Sequence, residues 1–167
     1  MVGVGGCLPA RLVSNDELAK TVDTSDEWIQ QRTGIKQRYL VEDERTSDLA
    51  VGAAKEALEH AGISADDIDI IVLATTTPND TFPSTASIVQ KELGAFNAFA
   101  FDVQAVCAGF VYALGVAESL LKIGQGKKAL VIGAESFSKL LDWDDRTTCV
   151  LFGDGAGAVI LEAAAPA

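Results

Sequence analysis

Ile70-Ile71-Val72-Leu73-Ala74-Thr75 is an unbroken run of apolar and β-branched residues. A strand with one wet face alternates polar and apolar residues; a strand without alternation is buried on both faces, as in a parallel sheet covered on each side. Outward from this run, Ala98–Val103, Leu130–Gly133 and Ala156–Leu161 read as further strands, and Val2–Gly6 as a short Gly-rich first one. Helices are expected between them. Leu49, Ala50, Ala53, Ala54, Ala57, Leu58 and Ala61 recur at helical spacing over Asp48–Ala61, and Gly62 ends them. Pro83-Ser84 opens a helix through Leu93 that Gly94 closes, and another runs from about Cys107 to Ile123. Ser14-Asn15-Asp16-Glu17 and Thr24-Ser25-Asp26-Glu27 both fit a capping box, the second ahead of Trp28 and Ile29 and a stop near Gly34. The fold class predicted is α/β: a five-stranded, mainly parallel mixed sheet with helices on both faces. No repeat, low-complexity tract or linker divides the chain, so residues 1–167 read as one unit.

One helix asks for more than this plan supplies. Phe110-Val111-Tyr112-Ala113-Leu114-Gly115-Val116-Ala117 carries no charge on any side of two turns. A helix apolar all round is packed all round, so a further layer is expected over it, from more chain or from a partner.

The chain has 167 residues, with 13 Lys and Arg against 24 Asp and Glu, a net charge of −11. That acidity argues against nucleic-acid and anionic-membrane binding, which need a basic surface. Cys7, Cys107 and Cys149 are too widely spaced for a disulfide framework or a zinc knuckle. No charged leader precedes an apolar run, and no apolar stretch is long enough to span a bilayer. A reducing, cytoplasmic setting is the default expectation.

Cys107 lies in Asp102-Val103-Gln104-Ala105-Val106-Cys107-Ala108-Gly109-Phe110, between a buried strand and a helix start. Unpaired N–H groups and the helix dipole stabilise a thiolate there and can hold an oxyanion. The alternative is a small buried hydrophobe, a common fate of cysteine. Cys7 and Cys149 lack the strand-to-helix context. The single histidine, His60, falls near a helix C-terminus and reads as a surface residue. A thiol nucleophile would therefore be activated by the helix alone, or by a base outside this chain. Trp28 and Arg32, spaced i, i+4, share a helix face and together offer a stacking surface and a phosphate ligand; a core Trp beside a solvated Arg is the plainer reading. Lys36, Arg38 and Arg146 are further cations, the last in the polar loop Asp142-Trp143-Asp144-Asp145-Arg146. Gly3-Val4-Gly5-Gly6 and Gly153-Asp154-Gly155-Ala156-Gly157 both lack the strand-turn-helix setting of a dinucleotide fingerprint. The second reads instead as a tight turn where backbone passes close to another segment.

Taken together, Asp23-Thr24-Ser25-Asp26-Glu27-Trp28-Ile29 with Arg32-Thr33-Gly34-Ile35, the Val103–Phe110 segment, and Phe152-Gly153-Asp154-Gly155-Ala156-Gly157-Ala158 resemble three motifs of β-ketoacyl-acyl carrier protein synthase III, in that family's order. The resemblance implies a thiolase-like fold of two similar α/β halves, of which residues 1–167 are the N-terminal one. It implies an acyltransferase of fatty acid biosynthesis, cytoplasmic and homodimeric. Cys107 would take a short acyl group from acyl-CoA and condense it with malonyl-acyl carrier protein, with loss of carbon dioxide. Trp28 and Arg146 would sandwich the CoA adenine, with Arg32 on the phosphates. Phe82 would close the acyl pocket of a dimer partner, and the Cys107 N–H would form half of the oxyanion hole. Acyl-CoA is a substrate, so no cofactor or metal is implied. The family's catalytic His and Asn belong to a second half, and His60 matches neither. The chain by itself is thus expected to lack condensation activity. A non-catalytic, self-associating fold unit remains an alternative, as does another Cys-dependent condensing enzyme: a thiolase, a hydroxymethylglutaryl-CoA synthase or a polyketide starter synthase.

Overall fold

A computed structural model describes residues 1–164; Ala165, Pro166 and Ala167, counted above in the single unit, lie outside the described residues. The central sheet has the order β1-β7-β6-β4-β5, from strands β1 (Gly3–Cys7), β4 (Ile70–Ala74), β5 (Phe99–Val103), β6 (Lys128–Glu135) and β7 (Gly155–Glu162). β4 pairs in parallel with β5 and β6, while β7 opposes both β6 and β1. Four strands therefore run one way and β7 the other. The sheet is mixed and mainly parallel, as the alternation of strands and helices predicts.

The run that opens the sequence reading is buried along its whole length. Ile71 and Leu73 point into one core with Leu130, Ile132, Ile160 and the alanines of α3 (Thr46–Ala61), and α4 (Thr85–Leu93) packs on this same face. Ile70, Val72 and Ala74 point to the other face, against Ala113, Ala117 and Leu121 of α5 (Gly109–Lys122). Each large side chain buried this way stabilises the fold by roughly 1.5–3 kcal/mol. The alanine stripe of α3 has a further purpose, because it lets β1 lie almost on the helix backbone. A Cβ added at Gly5 would sit 2.3 Å from the Ala53 carbonyl oxygen, so only glycine fits there.

Some element boundaries differ from expectation. α3 starts at Thr46, two residues early, because the Arg45 N–H donates to Asp48 Oδ2 at 2.8 Å and extends the first turn. In α2 (Asp26–Thr33) the cap is Ser25, not Thr24: its Oγ accepts the Trp28 N–H at 3.1 Å. Gly34, Gly62 and Gly94 end their helices in the left-handed region, as expected. The Phe110–Ala117 stretch does turn one side to the sheet, but Val111 (65% exposed), Tyr112 (58%) and Val116 remain in solvent among the described residues.

A second, two-stranded sheet has no counterpart in the sequence reading. β2 (Arg11–Ser14) pairs with β3 (Gln37–Leu40), two four-residue strands too short and too polar to show a pattern. With α1 (Asn15–Leu18) and α2 they enclose a small core of Val13, Leu18, Val22, Ile29, Leu40, Cys149 and Val150. Asp154 ties this lobe to the main sheet: its N–H donates to Tyr39 O at 2.8 Å, and its carboxylate accepts the N–H groups of Val41 and Ser138, each at 2.8 Å. The glycine turn at 153–157 is thus a place of close backbone approach, with a Cβ at Gly153 only 3.2 Å from Tyr39 O.

Candidate active site

β4, β5 and β6 point in the same direction, so the segments that follow them leave from one end of the sheet. Residues 75–84, with Phe82, follow β4; residues 104–108, with Cys107, follow β5; and residues 136–154, with Arg146, follow β6. The carboxyl ends of parallel strands are where α/β folds place ligands. Glu135 holds two of these exits together, its carboxylate accepting the Thr76 N–H at 2.8 Å and the hydroxyls of Thr76 and Thr77 at 2.9 and 2.6 Å.

Cys107 does not begin the α-helix itself. It occupies a 3-10 turn, Val106–Ala108, set between β5 and α5 and bonded by Ala108 N–H to Ala105 O (3.1 Å) and by Gly109 N–H to Val106 O. The thiol is exposed rather than buried, which removes the packing explanation for this cysteine. Its own N–H makes no hydrogen bond among the described residues. Val106, just before it, has φ 48°. A β-branched residue there is strained by about 1–3 kcal/mol, and the sequence carries no glycine at this point to announce the turn. The helix end behind the turn is seated closely. A Cβ at Gly109 would be 3.2 Å from Ala74 Cβ, and one at Gly133 would be 3.2 Å from the Phe110 ring.

His60 is exposed, as expected, and its Nδ1 accepts the Val4 N–H of β1 at 3.1 Å. β1 and β5 are opposite edges of the five-stranded sheet, four inter-strand spacings or roughly 19 Å apart. His60 is therefore no base for Cys107.

Trp28, Arg32 and Arg146 come together. The guanidinium carbons of Arg32 and Arg146 lie 4.3 and 4.6 Å from the Trp28 ring centre, within cation–π reach. Arg146 also pairs with Asp23 at 3.2 Å. Trp28 packs on the small-lobe core beside an exposed Arg32, as the plainer reading has it, but its indole is only half-buried and two cations lie over it. The loop carrying Arg146 is more ordered than its composition suggests. Asp145 accepts the Thr147 N–H at 3.0 Å and the Thr147 and Thr148 hydroxyls at 2.6 Å, and these bonds hold its carboxyl below the usual aspartate value. Trp143 donates its indole N–H to Ser138 O at 3.3 Å. An aromatic ring inserted between Trp28 and Arg146 needs roughly 7–8 Å, so the guanidinium must swing aside to admit one.

Phe82 stands 83% exposed at the tip of the loop before α4. That loop borders β5, since the Asp102 carboxylate of β5 accepts the N–H groups of Thr85 and Ala86. Cys107 and Phe82 are thus linked through one edge strand, and Trp28, Arg32 and Arg146 form a second group on the small lobe. Among the described residues no cluster of three or more His, Cys, Asp or Glu is arranged to hold a metal, and no helix is long and apolar enough to cross a membrane.

Comparison with known proteins accords with this geometry. A family model for 3-oxoacyl-[acyl-carrier-protein] synthase III matches residues 101–167. The β-ketoacyl-[acyl-carrier-protein] synthase III of Erythrobacter litoralis is 65% identical over 163 residues, covering 97% of this chain and 51% of the relative. Among solved structures, 3-oxoacyl-[acyl-carrier-protein] synthase III from Aquifex aeolicus VF5 superposes with a TM-score of 0.96 at 52% identity, over 99% of this chain and 54% of that one. The priming β-ketosynthase of the R1128 polyketide biosynthetic pathway gives a TM-score of 0.94 at 40% identity, over 98% of this chain and 49% of its own. By sequence and by fold, this chain belongs to the β-ketoacyl-[acyl-carrier-protein] synthase III family and spans about half the length of the curated relatives it matches.

Proposed function

We propose that this chain is the nucleophile-bearing and CoA-binding half of a condensing enzyme that starts fatty acid synthesis. The observation that carries this reading is an exposed Cys107 on a strained turn, at the same end of the sheet as the segment bearing Arg146. The Cys107 sulfur attacks the thioester carbonyl of a short acyl-CoA. The oxyanion that forms is met by the unbonded Cys107 N–H, the C–S bond to CoA breaks, and CoA leaves as its thiolate. Trp28 stacks on the adenine once Arg146 moves to the far side of it, and Arg32 neutralises phosphate. The carbanion produced when malonyl-acyl carrier protein loses carbon dioxide then attacks the acyl carbonyl. The C–S bond to Cys107 breaks, the cysteine leaves as its thiolate, and the β-ketoacyl chain departs on the carrier protein. The groups that promote that step belong, in this reading, to a second half.

Two surfaces support the missing partners. A groove of about 650 Å³ runs from Val103 along Val111, Tyr112, Val116 and Ile123; it is the wet side of α5, and the second α/β half would cover it. The other surface is the free edge of β5, flanked by exposed Phe99 and Phe82, where a second copy would dock. Acyl-CoA is consumed as a substrate, and no cofactor is assigned.

Intact mass after incubation with acetyl-CoA tests the first half-reaction. We expect a gain of one acetyl group that Cys107→Ala abolishes, and no condensation with malonyl-acyl carrier protein by the 167-residue chain alone. No acetylation, with iodoacetamide still alkylating Cys107, would leave a non-catalytic, self-associating unit as the reading of the free chain. Turnover by the pure chain would remove the need for a second half.

A further inference from the structure

Asp102 lies on β5, five residues before Cys107, and its side chain serves neither the nucleophile nor the CoA grip. It reaches to α4, where Oδ2 accepts the Thr85 N–H at 2.8 Å and Oδ1 the Ala86 N–H at 2.7 Å. That helix end already has its own cap, Ser84 Oγ accepting the Ser87 N–H at 3.2 Å. A second strap holds the front of the same loop. Thr85 Oγ1 accepts the Asn79 N–H at 3.2 Å, Asn79 Oδ1 accepts the Ser47 N–H at 3.0 Å, and Asn79 Nδ2 donates to Ser47 Oγ at 2.6 Å. Between these anchors the chain is exposed from Asp80 to Pro83, with the Phe82 ring at 83%. An apolar ring that touches little, on a loop fixed at both ends, is held at a set height for something outside its own core.

We infer that Asp102 is a positioning residue for acyl-chain selectivity: it fixes how far Phe82 projects into the acyl pocket completed across the β5 edge. This rests on the proposed reading in which a second copy docks on the β5 edge and Phe82 closes its acyl pocket, as the family resemblance implies. Asp102 suits the task because one strand carries both the clamp and the lead into the Cys107 turn, so any copy docked on that edge receives Phe82 at a height referred to the nucleophile. The two carboxylate oxygens of Asp102 each accept an amide at the positive end of a helix, and asparagine offers only one such oxygen.

The test uses the full enzyme, this chain joined to its second half, and compares kcat/KM for acetyl-CoA and butyryl-CoA. Asp102→Asn should shift that ratio toward the longer chain by about threefold or more, a part of the roughly tenfold or larger discrimination that a whole methylene in a pocket carries. Phe82→Ala should shift it further, and the double variant should match Phe82→Ala alone. Ser84→Ala weakens the same helix end without touching β5 and should leave the ratio unchanged. Should Asp102→Asn fail to fold, Asp102→Glu, which keeps both oxygens one methylene further out, carries the same comparison. A moved ratio in Phe82→Ala with an unmoved one in the folded Asp102 variant overturns the positioning inference. So does an Asp102 shift that persists in full without Phe82. An unmoved ratio in Phe82→Ala overturns the reading of Phe82, and the inference with it.

Discussion

The two edges of the central sheet are finished differently. On β1 the outward N–H groups are taken up by side chains of α3: Val4 donates to His60 Nδ1 and Gly6 to Glu56 Oε2. On β5 no side chain among the described residues takes that place; Phe99 and Phe101 stack along the strand with ring centres 6.3 Å apart, and Phe99 is exposed. An unpaired edge is a template for another strand. One edge is closed by its own helix, and the other is left with the geometry and the apolar surface of a docking site. Cys107 follows the open-edge strand and Phe82 lies on the loop before α4, the helix bonded to it, while the only histidine is spent at the closed edge.

Substitutions can break this contrast. The largest effect is expected at Gly5, where any Cβ meets α3 backbone. Gly5→Ala should lower unfolding stability by about 3 kcal/mol, the upper range for overpacking, as a fall in the urea midpoint. If the midpoint holds, β1 is not pressed on α3 as described. Next, Phe99→Lys on the open edge should weaken self-association by roughly 100-fold, a buried Phe being worth about 1.5–3 kcal/mol; sedimentation across a concentration series would show it. The same change at the closed edge, Val4→Lys, should leave association alone. His60→Ala should cost only about 1 kcal/mol, one backbone donor returned to water, and a larger loss would give His60 a role beyond the edge.

The smallest effect concerns two thiols. Burial first, and then the charges of Glu56 and Glu44, push the Cys7 thiol up from its ordinary value of 9.0. A raised pKa means that the folded chain keeps this proton longer than the unfolded one. The associated stability is complete below pH 9 and falls as pH rises through the folded value. Iodoacetamide at neutral pH should therefore alkylate exposed Cys107 well before Cys7. Glu56→Gln should quicken Cys7 by a few-fold at most, in line with one partly screened charge. Peptide mapping over time decides both, and equal rates at the two thiols would contradict the contrast between the edges.

Much of the fold is legible from local pattern. β4 announces itself because no residue in it is polar, and α3 because its alanines repeat at helical spacing until Gly62. Cys107 is findable from its place between a strand and a helix. Other parts of the site are not local. Arg146 and Trp28 are far apart in the chain, and only the lobe built by β2 and β3 brings them within 4.6 Å; those strands are too short and polar to read. Asp102 looks like any charged strand residue until its partners at Thr85 and Ala86 are seen. Val106 gives no sign of its positive φ, because a valine is the last residue that turn chemistry would suggest there. The apolar all-round helix does carry a message, since Val111, Tyr112 and Val116 on its outer side are exposed among the described residues.

The closed stack of Arg146 on Trp28 has a kinetic meaning. Side-chain rotation at an exposed site takes picoseconds to nanoseconds, so a guanidinium resting on the indole is no barrier to an arriving nucleotide. The cation covers part of the indole face and also pairs with the exposed Asp23 at 3.2 Å. Under the proposed reading, a base entering between the two displaces the guanidinium by about one ring's thickness. The stack is then self-complementary: the same two side chains meet each other or close on a planar guest with little rearrangement.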